Sequence, residues 1–225
     1  MTRRVLVSPS ILTADFGRLR EEVTSVAPHV DWFHLDVMDG HYVPNLTFGA
    51  STVAAVDAAV ELPLHVHLMI EDPIGFADVF ARAGADRISF HPEVVEAPED
   101  AAAAIRDAGA GVGVAVHPDV EVEPLAPLLP LLDVLLIMTV RPGFGGQRFL
   151  AEVVPKIEKA RRLLDDTGSA ADLEVDGGVN LETVDRVVEA GANIVVAGSA
   201  IFDGRDAPAA AKRLRERLDA MERER

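Results

Sequence analysis

The sequence predicts a single (β/α)8 barrel, and three observations lead to this fold class. First, residues 82–91, 107–117 and 189–199 share one pattern, in which the end of a helix is followed by an Ala-Gly-Ala turn and a short apolar run. The glycine of each turn suits the left-handed position that closes a helix. Second, apolar β-branched runs alternate with amphipathic helical patterns along the chain. Third, 225 residues is the length of a lean eight-fold barrel.

The predicted strands, in chain order, are residues 5–11, 32–38, 64–70, 87–91, 113–117, 134–140, 173–176 and 194–198. Regular alternation of strand and helix predicts parallel strands joined by right-handed crossovers. Eight such units favour closure into a barrel, with an open doubly wound sheet as the alternative. Because no linker-like or low-complexity stretch divides the chain, we expect one domain over residues 1–225.

Four of the helical stretches have clear signals. Asp72 followed by Pro73 is typical of a helix start, with an N-cap residue and then proline at the first helical position. Asn180 is predicted to cap a later helix. The buried stripes of the four helices are predicted to be Phe76, Val79, Phe80 and Ala83; Phe149, Val153, Ile157, Ala160 and Leu164; Val184, Val187 and Val188; and Ala211, Leu214, Leu218 and Met221.

Composition excludes several classes of function. A net charge of −16 argues against sequence-independent binding of nucleic acid and against docking on an anionic membrane. The most apolar region, residues 125–140, is interrupted by Pro127, Pro130 and Asp133, so no membrane span is predicted. The absence of cysteine excludes disulfides, thiolate metal sites and a cysteine nucleophile, and it fits a cytoplasmic protein.

Polar side chains fall late in several predicted strands, where the active site of a barrel lies. His34 and Asp36 share one face of the second strand because side chains alternate with a period of two. His67 occupies the third strand and Asp176 ends the seventh. Burying two carboxylates beside two imidazoles is costly unless they are paired or bind a metal. The set therefore predicts a site for Zn²⁺, Fe²⁺, Co²⁺ or Mn²⁺.

Glycine-rich turns follow the last three predicted strands. They are residues 142–147, the Gly177-Gly178 pair and the Gly198-Ser199 pair. Glycine lets backbone N–H groups approach and point at an anion, and phosphate sites near strands seven and eight are common in this fold. The sequence therefore predicts a phosphate site here.

Methionine and lysine add to this interpretation. Met38, Met69 and Met138 lie at strand ends and are predicted to form an apolar ceiling that keeps water from the reacting carbons.

A Schiff-base aldolase needs a lysine inside the barrel. The chain has three lysines, Lys156, Lys159 and Lys212, and all fall on predicted helices, which disfavours that class. His91 and His117, taken singly, are predicted to be hydrogen-bonded structural residues.

At this point the sequence resembles the ribulose-phosphate 3-epimerase family. The resemblance spans nearly the whole chain, in the motifs SPSIL (8–12), HLDVMDGHYVPN (34–45), HVHLMI (65–70), IMTVRPGFGGQ (137–147), EVDGGVN (174–180) and AGSAIF (197–202). It implies a metal held by His34, Asp36, His67 and Asp176, with Asp36 and Asp176 as the catalytic acid/base pair. The substrate contacts that it implies are Ser10, His67, Gly143, Phe144, Gly145, Gly146, Gly177, Gly178, Gly198 and Ser199.

The reaction implied by this resemblance is epimerisation at C3, from D-ribulose 5-phosphate to D-xylulose 5-phosphate, in the pentose phosphate pathway. Two bases would transfer protons through a metal-stabilised enediolate. One divalent metal per chain is expected, with Zn²⁺ or Fe²⁺ favoured and Mn²⁺ or Co²⁺ as alternatives. We expect a sugar phosphate as the small-molecule partner, no nucleic acid or membrane partner, and a homo-oligomer.

Three other functions stay open on the residues. One is an allulose-6-phosphate 3-epimerase on the same scaffold. Another is a phosphate-binding decarboxylase of similar barrel type, which the lysine-free strands disfavour. The third is a non-catalytic phosphosugar-binding protein, which would leave the four-ligand set unexplained. His65 departs from the family pattern, where Asp is common, and is expected to change the surroundings of His67. His117 and Arg141 are further departures.

Overall fold

The structure is a computed structural model that describes residues 4–224. Its strands are β1 Leu6–Pro9, β2 Phe33–Met38, β3 Leu64–Met69, β4 Arg87–Phe90, β5 Gly111–Val116, β6 Val134–Met138, β7 Asp172–Asp176 and β8 Ile194–Ala197. Its α-helices are α1 Leu19–Val26, α2 Ala50–Asp57, α3 Pro73–Arg82, α4 Pro98–Asp107, α5 Val154–Asp166, α6 Val184–Glu189 and α7 Ala207–Glu224.

All eight strands belong to one parallel sheet, in the order β1-β8-β7-β6-β5-β4-β3-β2. The two outer strands of this order meet through a single parallel bridge between Ser10 and His34. The sheet thus curls into a nearly closed barrel. The predicted (β/α)8 barrel is confirmed, and the open-sheet alternative is wrong. Residues 1–3 and 225 of the expected single domain lie outside the described residues, and that domain assignment remains a proposal.

The observed strands are shorter than predicted at several ends because the chain turns early. The first predicted strand ran to residue 11, but β1 ends at Pro9. Ser10 is the N-cap of a short 3-10 helix over Ile11–Thr13, and its hydroxyl accepts a hydrogen bond from the backbone N–H of Leu12 at 3.2 Å. This turn brings the Ser10 side chain to the mouth of the barrel.

Helix α3 begins as predicted, but its buried face differs. The Asp72 carboxylate accepts a hydrogen bond from the N–H of Gly75 at 2.8 Å, which confirms the N-cap. The side chains that pack inwards are Pro73, Ala77 and Phe80. Phe76 and Val79 are 47% and 38% exposed, so the predicted stripe was wrong there. Phe76 instead lies outside Phe80, with ring centroids 6.2 Å apart.

The cap predicted at Asn180 is also displaced. The Asn180 side chain accepts a hydrogen bond from the N–H of Glu182 at 2.8 Å, within a turn that precedes the helix. Helix α6 itself begins at Val184, after Thr183. The valine stripe is buried as predicted. Helix α5 begins at Val154, so Phe149 and Val153 of its predicted stripe lie before it, and of these two only Val153 is buried. The rest of that stripe and the stripe of α7 are buried as predicted, at Ile157, Ala160 and Leu164 and at Ala211, Leu214, Leu218 and Met221.

The two faces of the barrel strands bury different side chains. Outward-facing residues such as Leu35, Val37, Val66 and Leu68 pack beneath the helices in the main apolar core. Inward-facing positions carry a layer of buried polar residues: Ser8, His34, Asp36, His65, His67, Ser89 and Glu174. Alternation along β2 and β3 produces both faces at once. The site is therefore built on strands that the apolar core already fixes.

Candidate active site

Four side chains meet at the mouth of the barrel. His34, Asp36, His67 and Asp176 each offer one ligand atom, and these atoms lie within 4.8 Å of one another. Oδ1 of Asp36 lies 3.3 Å from Nε2 of His34 and 3.1 Å from Nδ1 of His67. Oδ2 of Asp176 lies 3.9 Å from the same His34 nitrogen. The structure thus brings together the four ligands that the sequence predicted.

Strand register explains this convergence. Asp36 on β2 is the direct neighbour of His67 on β3, so their side chains share one face. The intervening residues Leu35 and Val37 point to the helices and are buried in the core. Asp176 is the last residue of β7. Ser10, which was predicted to contact substrate, donates a hydrogen bond from its hydroxyl to Oδ2 of Asp36 at 2.5 Å.

The two carboxyl groups differ in their electrostatics. Burial acts to raise the pKa of Asp36, but the neighbouring imidazoles of His34 and His67 outweigh it and hold this pKa well below its usual range. The pKa of Asp176 is raised to about 8 by burial and then by the Asp36 carboxylate, against the opposing effect of His34. At neutral pH, one carboxyl is therefore ionised while its neighbour holds a proton.

The two imidazoles also differ. Burial acts to lower the pKa of His34, but Asp36 and Glu174 outweigh it and raise this pKa well above its usual value. Burial lowers the pKa of His67 to about 3, despite the hydrogen bond with Asp36. His67 is thus a neutral imidazole at neutral pH. A cation that binds His34 must displace a proton from it.

The donor set fits a divalent metal ion. Nε2 of His34 is fully buried and has no hydrogen-bond partner among residues 4–224, although it faces the two carboxyl groups. A buried polar atom without a partner is costly. A cation at this point would satisfy it and would also neutralise Asp36. Nitrogen and oxygen donors without sulfur suit Zn²⁺, Fe²⁺, Mn²⁺ or Co²⁺.

Sequence reasoning missed the residues behind the two imidazoles. Glu174 accepts from Nδ1 of His34, at 3.0 Å. It also contacts Nδ1 of His65, at 2.8 Å. His65 was expected to affect the surroundings of His67, but its side chain faces Glu174 and the His34 ring instead. Alternation along β7 from Asp176 would have placed Glu174 inside the barrel.

His91 lies behind the other imidazole. Its Nε2 is 2.9 Å from Nε2 of His67. Its Nδ1, 3.4 Å from Oε1 of Glu93, has no hydrogen-bond partner within residues 4–224. His91 is therefore only partly the hydrogen-bonded structural residue that was expected. Nδ1 of His117 accepts from the N–H of Asp119 at 3.2 Å, at the edge of the mouth.

The glycine turns lie on the opposite side of the same pocket. The predicted substrate contacts that line it are Ser10, Gly143, Phe144, Gly145, Gly146, Gly177, Gly178, Gly198 and Ser199, together with the two aspartates. Gly177 has φ +122°, and a Cβ there would lie 2.7 Å from the backbone nitrogen of Val140. Only glycine fits such a turn, because a side chain there would be strained and would meet the backbone of Val140.

The three methionines close the apolar part of the pocket. Met38, Met69 and Met138 are all buried and all line it. Met38 and Met69 pack together with Val43, while Met138 packs with Val140. This arrangement places an apolar wall beside the carboxyl groups.

The profile of the ribulose-phosphate 3-epimerase family matches residues 6–202 of this chain. The chain belongs to the ribulose-phosphate 3-epimerase family. It is 45% identical over 216 residues to ribulose-phosphate 3-epimerase of Mycobacterium leprae, covering 96% of both chains. It is also 45% identical over 213 residues to the Bacillus subtilis protein of that name, covering 94% of this chain and 98% of the relative.

A solved structure with the same fold is 3-hexulose-6-phosphate synthase from Salmonella typhimurium. The TM-score is 0.72 at 18% identity, with 96% of this chain and 99% of that chain covered, which supports the fold alone. The prediction of an epimerase in this family is confirmed. Within residues 4–224, no helix is long and apolar enough to cross a membrane.

Proposed function

We propose that this chain epimerises D-ribulose 5-phosphate to D-xylulose 5-phosphate at C3, in the pentose phosphate pathway, and that it binds one divalent metal ion. The observation that carries the proposal is the aspartate pair. Asp36 and Asp176 face the same pocket, yet one pKa is held low while the other is raised to about 8. A reaction that inverts one carbon needs one group to take a proton and another to return it.

The metal would be held by His34, Asp36, His67 and Asp176, whose ligand atoms already lie close together. Zn²⁺ or Fe²⁺ is favoured by the two imidazoles, with Mn²⁺ or Co²⁺ as alternatives. Such an ion supplies positive charge that stabilises the negative charge developing on the substrate's oxygens.

The proton steps fall to the two aspartates. Ionised Asp36 takes the C3 proton of ribulose 5-phosphate on one face, and protonated Asp176 delivers a proton to the other face. Ser10 holds Asp36 in place through the 2.5 Å hydrogen bond to Oδ2. After one turnover the two carboxyl groups have exchanged protonation states, which suits a reaction that runs in both directions.

The glycine turns would bind the phosphate. Backbone N–H groups in such turns can point at an anion without a charged side chain. The chain has a net charge of −16, so its overall electrostatic field does not attract a phosphate. The glycine turns would supply the local N–H donors that bind it. Met38, Met69 and Met138 would exclude water from C3.

The test is an assay of the purified chain with ribulose 5-phosphate and, as the competing substrate, allulose 6-phosphate, with bound metal quantified. We expect a higher kcat/KM for ribulose 5-phosphate and about one ion per chain. Preference for allulose 6-phosphate would transfer the proposal to that sugar. Full activity in thoroughly chelated protein would refute the metal, and no turnover of either sugar would favour a binding protein.

Deuterium exchange tests the two-base assignment. In heavy water, Asp176→Asn with its metal retained is expected to incorporate deuterium into ribulose 5-phosphate without forming xylulose 5-phosphate. Asp36→Asn is expected to do the reverse. A single variant that keeps its metal and still epimerises at nearly the wild-type rate would refute the assignment.

We also propose a cytoplasmic homo-oligomer. Leu46 is 73% exposed and Phe76 is 47% exposed, and both border an apolar groove beside Phe48 and Phe80. Exposed apolar groups gathered in this way are typical of protein contact surfaces. Sedimentation of the purified chain measures the assembly, and a monomer at all concentrations would refute it.

A further inference from the structure

A second buried cluster lies directly behind the candidate metal site. It consists of Glu174, His65 and Ser89, and each is at most 1% exposed. Glu174 contacts Nδ1 of His34 through Oε1 at 3.0 Å and Nδ1 of His65 through Oε2 at 2.8 Å. The other nitrogen of His65 lies 2.7 Å from the Ser89 hydroxyl. None of these three residues has a part in the proton steps described above.

The contacts of Glu174 determine which nitrogen of His34 keeps its hydrogen when a cation binds. An ionised carboxylate can only accept hydrogen bonds, so Nδ1 of His34 must donate to Oε1. The nitrogen left to face Asp36 and Asp176 is therefore Nε2. That atom is the one without a hydrogen-bond partner among residues 4–224. Glu174 thus selects the nitrogen that is presented to a metal and fixes the plane of the ring.

His65 is held in turn by the neighbouring strands. Nδ1 of His65 donates to Oε2 of Glu174, so its Nε2 must accept, and the Ser89 hydroxyl is the donor. Ser89 has room only because its neighbour on β5 is Gly113, where a Cβ would lie 1.9 Å from the Ser89 hydroxyl oxygen. A chain of fixed hydrogen bonds therefore runs from β4 through His65 and Glu174 to His34.

We propose that Glu174 and His65 are positioning residues of the metal site, which hold His34 with Nε2 directed at the cation. This inference rests on the proposed function, because it needs the cation to bind. Glu174 acts as the acceptor for His34, and His65 is the second donor that stops the Glu174 carboxylate from rotating away. Partners of this kind, which hold the outer nitrogen of a metal-bound histidine, typically change metal affinity about 10–100-fold when lost.

A second cation between His34, His65 and Glu174 is the competing explanation, since these three can also offer ligand atoms within 4.8 Å of one another. The contacts of 2.8 and 3.0 Å are ordinary hydrogen-bond lengths. A cation there would also have to take the Nδ1 hydrogen of His34. The hydrogen bonds satisfy both Glu174 oxygens, both nitrogens of His65 and Nδ1 of His34 without an ion between them.

The experiment measures the Zn²⁺ dissociation constant by competition with a chromophoric chelator, and the absorption spectrum of the Co²⁺-loaded protein. The wild type is compared with Glu174→Gln, His65→Leu and His65→Asn. Asn can place an amide N–H where Nδ1 of His65 stands, whereas Leu cannot donate. Thermal unfolding of each metal-free variant reports folding separately, and Glu174→Gln, which keeps the shape of the side chain, guards against a misfolded Leu variant.

We expect Zn²⁺ to bind roughly 10-fold more weakly or worse in Glu174→Gln and His65→Leu, and within about threefold of wild type in His65→Asn. The Co²⁺ spectrum should change in the first two variants only. Affinities equal to wild type in Glu174→Gln and His65→Leu would overturn the inference, as would equal losses in Leu and Asn. Two ions per wild-type chain would overturn it in favour of a second site. A wild-type chain that binds no ion would instead overturn the proposed metal itself.

Discussion

Two halves of the barrel mouth present different groups to a ligand. The imidazole half, made by His34, Asp36, His67 and His91 on and just beyond β2–β4, presents side chains that are at most 3% exposed. The glycine half, made by the turns after β6, β7 and β8, presents backbone with few side chains, and its Phe144 is 54% exposed. In the first half, position is set by buried hydrogen bonds. In the second, it is set by backbone conformations that glycine allows.

Substitutions in the two halves are therefore expected to impair different properties of the protein. Substitution in the imidazole half should change the chemical step or the metal affinity, because this half contains proposed metal ligands and the proposed base Asp36. Substitution in the glycine half should change substrate affinity, because this half is proposed to bind the phosphate.

The largest effect is expected for Asp36→Asn. This change removes a proposed metal ligand that is also the proposed proton acceptor, and kcat should fall about 10²–10⁴-fold. The inhibition constant of inorganic phosphate, measured as a competitive inhibitor, should stay within about twofold of wild type because the glycine half is intact. A large loss of phosphate affinity in this variant would show that the halves are not separate.

The next effect is expected for Gly198→Asp. A Cβ at Gly198 would lie 3.4 Å from the Thr13 hydroxyl oxygen, which is ordinary contact, and this glycine has no positive φ. The new carboxylate would lie close to the phosphate and should raise KM roughly 10–100-fold, with a smaller change in kcat. Gly198→Asn, of the same shape without charge, is the control. Equal effects of Asp and Asn would point to sterics and against a phosphate site.

A smaller effect, on stability, is expected for Gly113→Ala. The added Cβ would lie 1.9 Å from the Ser89 hydroxyl oxygen and 2.7 Å from Cγ1 of Val134, so the interior must shift. Urea unfolding should show a loss of about 1–3 kcal/mol. Gly49→Ala has nothing within 4 Å of the new Cβ and should change stability by no more than about 0.5 kcal/mol. An unchanged free energy of unfolding in Gly113→Ala would mean that the close packing of Ser89 and Val134 on Gly113 does not hold the imidazole half in place.

The smallest effect concerns Glu93 at the rim of the imidazole half. Burial acts to raise the pKa of Glu93, but His91 and the hydrogen bond from Tyr42 outweigh it and lower this pKa to about 2. The stability that Glu93 contributes is thus fully present above the ordinary carboxyl pKa and is lost as pH falls through about 2. At pH 6, the wild type should unfold at a higher urea concentration than Glu93→Gln. The difference between the two unfolding midpoints should become steadily smaller below about pH 4.5. If the difference in urea midpoint between wild type and Glu93→Gln stayed constant with pH, the lowered pKa of Glu93 would be contradicted.

Much of this mouth was predictable from the sequence because it depends on local rules. Alternation along β2 and β3 places His34, Asp36 and His67 on the inner face. What the sequence does not reveal is pairing over long separations, such as the contact of His65 with Glu174, which joins residues 109 positions apart. The face of α3 was wrong for a related reason. Several rotations of an apolar helix look equally amphipathic until the neighbouring strands select one.

The seam between β1 and β2 gives the barrel a further property. A single parallel β-bridge, between Ser10 and His34, joins these strands, and the Ser10 hydroxyl donates a hydrogen bond to Asp36. At the other end of the seam, Asp31 accepts from the N–H of Val7 at 2.9 Å. The joint that completes the barrel therefore includes groups of the candidate active site at one of its ends. Ligand binding at that site would stabilise the contact between β1 and β2 and with it the closed barrel. Amide protons of β1 would then exchange with solvent more slowly when the site is filled.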